Sequence, residues 1–381
     1  DRIIFVDLTF VPLLEAILPH CPTVERVVVM TDQWNMPATK LPRAECYEQL
    51  LEESSEDVEW GGFDEQTACG LCYTSGTTGN PKGVLYSHRS NFLHTLVTLQ
   101  ATIMGATPDE VILPVPWYFN HKMWLDMSGV AAVPLPVGDT LLPDPEQAAA
   151  LITDRTRAIA LVTPNNPGGV EYPEELVQAF FDLARARGIA LILDETYRDF
   201  DSRSGPPHRL FQDPDWHDTL IHLYSFSKAY RLTGHRVGAI VASQTRLAEV
   251  EKFLDTVAIC PGQIGQHAAL WGMQNLDTWL AGERREILAR RQAIADSMHR
   301  LDAKGWKLLG LGGYFAYLSH PFDESSATLA PRLVREAAVL TLPGTMFHPA
   351  EDITGGRHLR IAFANLDVAG IEVLFDRLTQ V

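Results

Sequence analysis

Cysteine is scarce in this chain, five among 381 residues at irregular spacing, and that argues against a disulfide framework. Basic residues are also in deficit. Thirty-one Lys and Arg stand against 48 Asp and Glu, a net charge of −17, so a polyanion-binding surface is disfavoured and no nucleic-acid partner is expected. No run approaches the roughly 18 apolar residues of a membrane-spanning helix. The N-terminus has neither a basic segment nor an apolar stretch with a cleavage site. No membrane partner is expected, and the location expected is cytoplasmic. Internal repeats and low-complexity tracts are absent. The chain starts at Asp1 without a methionine, as a trimmed or truncated product would.

What is present is enough for one large or two ordinary domains, with 46% hydrophobic residues to build a core. Cys69-Gly-Leu-Cys72 has redox or half-zinc spacing, but no second pair accompanies it, and two thiols in a buried strand is the simpler reading. The acids from Glu52 to Glu65 read as a solvated loop or helix end. Up to about Gly105 the pattern is short strands and loops, with Arg26 to Met30 and Ala68 to Thr74 strand-like and Ser90 to Met104 helical.

Beyond residue 108 strands and helices alternate regularly. Glu110 to Pro114, Ala158 to Thr163, Ile189 to Asp194 and Leu220 to Ser225 read as strands. Pro173 to Arg187 reads as a helix, with proline in its first turn, Gly188 past its end, and Leu176, Phe180 and Leu183 on one face. This predicts an α/β fold with a mostly parallel sheet covered by helices, whose ligands sit at the C-terminal strand ends. Arg236 to Ala242 is again strand-like. Glu283 to Leu301 reads as a long helix with a stripe of Ile287, Ile294, Met298 and Leu301, followed by a smaller α+β domain.

One lysine organises the chemistry. Ser225-Phe-Ser-Lys228, with Asn166, Asp194 and Tyr197 before it and Arg236 after, is an ordered set able to hold pyridoxal 5′-phosphate. Lys228 would form the internal aldimine and then shuttle a proton at the substrate α-carbon. Asp194 would hold the pyridine nitrogen protonated. Asn166 and Tyr197 would bond the ring hydroxyl oxygen, and Ser225, Ser227 and Arg236 the phosphate. Tyr118, with Trp117 its rival by one position, would stack on the ring face, and Arg360 would clamp the substrate carboxylate. Singly, each of these residues has an ordinary turn or core role; the joint order is what carries the reading.

Thr163-Pro-Asn-Asn-Pro-Gly-Gly169, Leu193-Asp-Glu-Thr-Tyr197, Ser225-Phe-Ser-Lys228 through Gly234-His-Arg-Val-Gly238, Pro343-Gly-Thr-Met-Phe347 and His358-Leu-Arg360 together resemble the class I/II aminotransferases of fold type I. The resemblance runs from about Glu110 to the C-terminus. It implies a seven-stranded large domain, a smaller C-terminal domain, homodimers, and transamination between an L-amino acid and a 2-oxo acid. Gly168 departs from the family's usual threonine, and Thr233 from its usual proline. Members specific for dicarboxylates often carry a second arginine about thirty residues after the lysine. The stretch Phe253 to Glu283 has no Arg or Lys, so an uncharged amino donor is at least as well supported as aspartate.

A second motif belongs to different chemistry. Tyr73-Thr-Ser-Gly-Thr-Thr-Gly-Asn-Pro-Lys-Gly-Val84 offers Thr74, Ser75, Gly76, Thr77, Thr78, Gly79 and Lys82 to a polyphosphate. It differs from a Walker A loop because Gly83 follows the lysine. With Ser87-His-Arg-Ser-Asn91 it resembles the phosphate loop of the adenylate-forming acyl-CoA ligases, bacterial fatty-acyl-CoA ligases in particular. The downstream adenine, ribose and C-terminal parts of that family are not found.

The expected organisation is therefore a ligase-like fragment over 1–105, an aminotransferase large domain over 106–280 and a small domain over 281–381. Asp109-Glu-Val-Ile-Leu-Pro114 could serve either parent as the junction, leaving the aminotransferase part without about its first quarter, including a core strand and a phosphate loop. Ser75 to Gly79 could stand in for that loop, although Pro81 to Tyr86 adds a strand that would turn its donors elsewhere. The alternatives are a catalytically inert chimera and, from a third class, an ATP-dependent fatty-acyl-CoA ligase or nucleotide-binding module.

Overall fold

The computed structural model describes residues 2–55, 64, 66–74, 82–89, 109–257 and 262–381. The chain divides into two compact units, Asp1–Val97 and Thr98–Val381. In the first unit, β1 (Ile3–Val6), β2 (Arg26–Val29) and β3 (Ala44–Cys46) pair in parallel in the order β1-β2-β3. The helix Val11–Ile17 joins the first two strands, and Val6, Val11, Leu14, Val27 and Val29 form their core. A separate antiparallel pair, β4 (Ala68–Thr74) and β5 (Lys82–Ser87), registers Thr74 against Lys82. Cys69 and Cys72 thus lie on a strand, as read. The helix read over Ser90 to Met104, and Ser75 to Gly79, lie outside the described residues.

The second unit is built on a six-stranded sheet in the order β11-β10-β9-β8-β6-β7. Its strands are β6 (Glu110–Val115), β7 (Ala131–Pro136), β8 (Thr156–Val162), β9 (Ala190–Asp194), β10 (Leu220–Ser225) and β11 (Gly238–Val241). All pairings are parallel except β10 with β11. The period-2 alternation of a strand sends Ile159 and Leu161 to one face and Ala158 and Ala160 to the other. On the first face the helix Glu174–Ala186 buries Val177, Phe180, Phe181 and Ala184 against Leu191 and Leu193. On the second, Val111, Leu113 and Trp117 pack with Leu125 of the helix Phe119–Met127.

The resemblance implies seven strands, whereas the described residues form six. Among the described residues β11 stands at the sheet edge, with Ile240 and Val241 exposed. Beside it a cavity of about 770 Å³ is lined by Leu223, Ile240, Leu254, Asp194, Ser225 and Arg236 among others.

A four-stranded antiparallel sheet, β12 (Lys307–Gly312), β13 (Phe315–Ser319), β15 (His358–Ala362) and β14 (Leu342–Pro343) in that spatial order, forms the C-terminal part. Ile287, Ile294, Met298 and Leu301 pack beneath it, the stripe read from the sequence. The long helix starts earlier than read and breaks before its end, as Asp277–Ser297 followed by His299–Asp302. It is tied to the first sheet's half by Arg291 donating to Glu171 at 3.1 Å and Arg284 donating to the carbonyls of Asp201 and Arg203.

The two sheets also meet at glycine. Gly169 has φ +75°, and a Cβ there would lie 2.5 Å from the Phe315 carbonyl oxygen and 2.6 Å from the Gly312 nitrogen. Both obstacles are backbone and cannot rotate away. Gly169→Ala is therefore expected to lower the unfolding free energy by about 3 kcal/mol, combining left-handed strain with overpacking. Urea denaturation followed by far-UV circular dichroism checks it.

Candidate active site

Each strand of the parallel sheet ends on the same side, and the residues just past those ends carry the polar chemistry. Asp194 closes β9, level with Val162 of β8 and Leu223 of β10. Its carboxylate is buried. Oδ1 accepts from the Thr196 hydroxyl at 2.6 Å and the Thr196 N–H at 3.0 Å, and Oδ2 lies 3.2 Å from His121 Nε2. Burial alone would favour the neutral acid, but the His121 contact and the Thr196 bonds outweigh it and hold the group below the usual carboxylate range. A carboxylate kept charged there suits a protonated pyridine nitrogen.

Sequence reasoning passed over His121 and Thr196. His121 was nonetheless signalled. It stands three residues after Tyr118 at the start of a helix, a spacing that puts both on one side, and their rings lie 5.1 Å apart. Between the two stacking candidates, Trp117 is buried in the core while Tyr118 is half-buried and feels the charges of Asp194, Arg360 and Arg236. Asn120 Nδ2 donates to the Tyr118 hydroxyl at 2.9 Å.

Lys228 sits on a single helical turn, Phe226–Ala229, directly after β10. Burial lowers its pKa, and the positive charges of Arg360 and Arg236 lower it further. The neutral amine that a carbonyl addition requires is thereby favoured. Ser225 Oγ accepts from the Ser227 N–H at 3.3 Å, and the Ser227 carbonyl accepts from Thr233 at 2.8 Å. Arg236 adopts φ 52°, a conformation that L-residues rarely occupy, and Nη1 donates to the Thr233 carbonyl at 2.9 Å.

Arg360 enters from the other sheet, on β15, opposite Tyr317 and Leu342. Nη1 donates to Asn166 Oδ1 at 2.7 Å, and the guanidinium lies over the rings of Phe315 and Phe347 at 4.5 and 5.1 Å. Its Nε is buried with no hydrogen-bond partner among the described residues. An incoming carboxylate would meet an arginine already oriented and incompletely satisfied. Tyr197 is buried against Tyr314 and Phe315, and its hydroxyl is pushed well above the ordinary tyrosine range by burial, with Tyr118 adding to the shift. The donor set of a carboxylate, an amine, an arginine with two serines and a second arginine fits pyridoxal phosphate and an amino acid together.

Directly behind Asp194 lies a second polar cluster that the sequence did not reveal. Glu195 is fully buried, and its Oε2 faces His222 Nε2 at 2.7 Å, Arg198 Nη1 at 3.1 Å and His208 Nε2 at 3.2 Å. Burial opposes the charge, yet the His208 and His222 bonds and Arg198 bring its pKa down to about 2. Glu195→Gln is expected to cost about 3 kcal/mol of stability, because it leaves buried partners uncompensated. A depressed carboxyl contributes stability above its unfolded pKa and loses it as pH falls through the folded value. The wild-type contribution is therefore expected to fade from the ordinary glutamate range down to about pH 2. Acid titration of the urea midpoint, flatter in the variant, checks it.

Residues 90–378 match the family model for aminotransferase class I and II, well over half of the chain. The chain belongs to the class I and II aminotransferases, a family of pyridoxal-phosphate-dependent enzymes. Residues 2–165 match the model for AMP-binding enzyme, so the two matches share residues 90–165. An aromatic aminotransferase of Arabidopsis thaliana is 27% identical over 292 residues, covering 74% of this chain and 71% of that protein. A 3-methylmercaptopropionyl-CoA ligase of Ruegeria pomeroyi is 38% identical over 200 residues, covering 50% of this chain and 34% of the ligase. The chain thus spans about a third of the length of that ligase. Among solved structures, the N-succinyldiaminopimelate aminotransferase from Mycobacterium tuberculosis superposes with a TM-score of 0.65 at 23% identity, over 72% of this chain and 71% of that one. That likeness establishes the aminotransferase fold.

Proposed function

We propose that this chain moves an amino group between an L-amino acid and a 2-oxo acid, using pyridoxal 5′-phosphate. The observation that carries the proposal is the convergence of Asp194, Lys228, Arg236 and Arg360, from four separate chain segments, beside the buried Asn166 and Tyr197. When bound, the cofactor supplies an electron sink that makes the substrate α-hydrogen acidic. Arg360, oriented by its bond to Asn166 Oδ1, would hold the substrate carboxylate and so fix where the α-carbon lies. Lys228, its pKa lowered by burial and by the charges of Arg360 and Arg236, would take the proton from that carbon and hand it back. Asp194, oriented by His121 and Thr196, would present its negative charge to the ring nitrogen. Tyr118 would cover the ring face, Tyr197 and Asn166 would bond the ring oxygen, and Ser225, Ser227 and Arg236 would hold the phosphate.

The same proposal divides the chain at about residues 105 and 280, and it takes the working form to be a cytoplasmic homodimer, as the family resemblance and composition suggest. No described helix is long and apolar enough to cross a membrane. A second reading, an inert chimera, is favoured by the match of residues 2–165 to the model for AMP-binding enzyme. Amino transfer from a panel of L-amino acids to 2-oxoglutarate or pyruvate, with and without added cofactor, separates the two. Transfer that depends on the cofactor supports the proposal, and none at any donor supports the inert chimera.

A further inference from the structure

A buried chain of polar contacts reaches Arg360 from the side away from Asn166. Tyr317 is paired with Arg360 across β13 and β15, and directly paired residues of an antiparallel sheet stand on one face with Cβ atoms about 5 Å apart. Phe315 shares that face, while Ala316, Leu318, Leu359 and Ile361 point the other way into the core. Tyr317 is fully buried, and burial pushes its hydroxyl well above the ordinary tyrosine range, so it remains O–H. That hydroxyl lies 3.2 Å from His348 Nε2. His348 Nδ1 lies 2.7 Å from Asp352 Oδ2, and Asp352 Oδ1 accepts from the Thr354 N–H at 2.9 Å and from the Thr354 hydroxyl. Burial opposes the charge on Asp352, but the Thr354 and His348 bonds outweigh it and hold the carboxyl below its usual range. An ionised carboxylate only accepts, so Nδ1 carries the hydrogen, and in the neutral imidazole Nε2 is the acceptor for Tyr317.

The chain returns to the arginine through Phe347. His348 directly follows Phe347, whose ring meets Tyr317 edge-on at 6.5 Å and lies 5.1 Å from the Arg360 guanidinium. The Phe347 carbonyl accepts from the Trp117 N–H at 2.9 Å. Arg360, Phe347, His348 and Tyr317 therefore close a circuit inside the second unit, and the Tyr317 to His348 hydrogen bond completes it. Arg360 needs that support. Its bond from Nη1 to Asn166 Oδ1 leaves the guanidinium able to turn about the contact, and its Nε is unpartnered among the described residues, so packing sets the plane.

Resting on the aminotransferase reading, in which Arg360 receives the substrate carboxylate, we propose that Tyr317 and His348 are positioning residues for Arg360. Their hydrogen bond fixes the Tyr317 and Phe347 rings against the guanidinium and so sets its plane for two-point carboxylate binding. Neither side chain touches the substrate. Without the bond a buried hydroxyl is left unpaired, and the rings shift to recover a partner, which withdraws the support beneath the arginine.

The test is calorimetric binding of unreactive carboxylates to the full chain with pyridoxal phosphate added. Acetate, succinate and 3-phenylpropionate are tried, and the tightest is followed through Tyr317→Phe, His348→Gln, His348→Asn, Arg360→Gln and the combination of Tyr317→Phe with Arg360→Gln. A glutamine amide reaches the Nε2 position and still accepts from Tyr317, whereas asparagine reaches only the Nδ1 position and serves Asp352 alone. We expect affinity to fall about tenfold in Tyr317→Phe and in His348→Asn, and to stay within about threefold of the wild type in His348→Gln. The combined variant should bind no more weakly than Arg360→Gln alone, because the effect passes through the arginine. A purely structural role would lower the melting temperatures without producing that pattern. Unchanged affinity in Tyr317→Phe overturns the proposal, as do losses that add in the combined variant, equal losses in His348→Gln and His348→Asn, or no carboxylate binding by the wild type. Borohydride trapping of cofactor on the same samples separates the two levels: a trapped Lys228 with any of those outcomes defeats the positioning role alone, and an untrapped Lys228 defeats the aminotransferase reading.

Discussion

Lys228→Ala is expected to reduce amino transfer by roughly ten-thousand-fold or more while leaving the fold intact, because in the proposed reaction one side chain would both join the cofactor and move the substrate proton. The environment prepares it for both. Burial, with the charges of Arg360 and Arg236, draws the ammonium pKa down, so a larger fraction is the reactive neutral amine at neutral pH than for a solvated lysine. Removing the side chain leaves the turn Phe226–Ala229 with alanine, a good helix former, and removes no hydrogen bond on which β10 depends. The measurements are single-turnover amino transfer and thermal unfolding of the same preparations. Lost transfer with an unchanged melting temperature is the expected pair.

Asp194→Asn is expected to cost about a thousand-fold in kcat, with a smaller change in KM, since in the proposed arrangement the carboxylate would act on the ring and touch no substrate atom. Asparagine fills the same volume and can still accept from Thr196, so the defect would be one of charge. The pH dependence follows from the same geometry. The His121 and Thr196 contacts outweigh burial and hold the Asp194 pKa below its ordinary value, so the charged form persists above the ordinary aspartate range and is lost only as pH falls through the lowered value. The wild-type profile should therefore show no decline from this group near neutrality. His121→Asn removes the bond and charge that offset burial and should move the acid limb upward. Steady-state profiles of the wild type and both variants check this. An acid limb unmoved by His121→Asn would detach the imidazole from the role its 3.2 Å contact assigns.

Much of the second unit was legible because its signals are local. Pro173 and Gly188 bracket a helix that the structure places at Glu174–Ala186. The face chosen was one residue off. Leu176 and Leu183 lie at the margin, while Val177, Phe181 and Ala184 join Phe180 in the fully buried row, because that row points at β9. The positions of Asp194, Ser225 and Lys228 were legible for another reason, since the first two end apolar strand runs, the third lies on the turn that follows β10, and a parallel sheet delivers such positions to one rim. What could not be read depends on distance in sequence. The meeting of Glu195 with His208 and His222 spans 13 and 27 residues, and no periodicity encodes it. The C-terminal sheet order β12-β13-β15-β14 is likewise non-local, and β14 is only two residues long, too short to show an alternating pattern. Arg360 was found through its motif, but its cradle of Asn166, Phe315 and Phe347 brings together three other chain segments.

The central claim is that the Lys228 amine joins pyridoxal phosphate in a site that assembles in this chain. Borohydride reduction of the purified protein with added pyridoxal phosphate, followed by peptide mapping by mass spectrometry, tests it most directly. The account predicts one modified peptide, carrying the reduced cofactor on Lys228 at near-unit stoichiometry, and none in Lys228→Ala at that position. Label scattered over exposed lysines such as Lys252 and Lys304, with Lys228 unmodified, would contradict it.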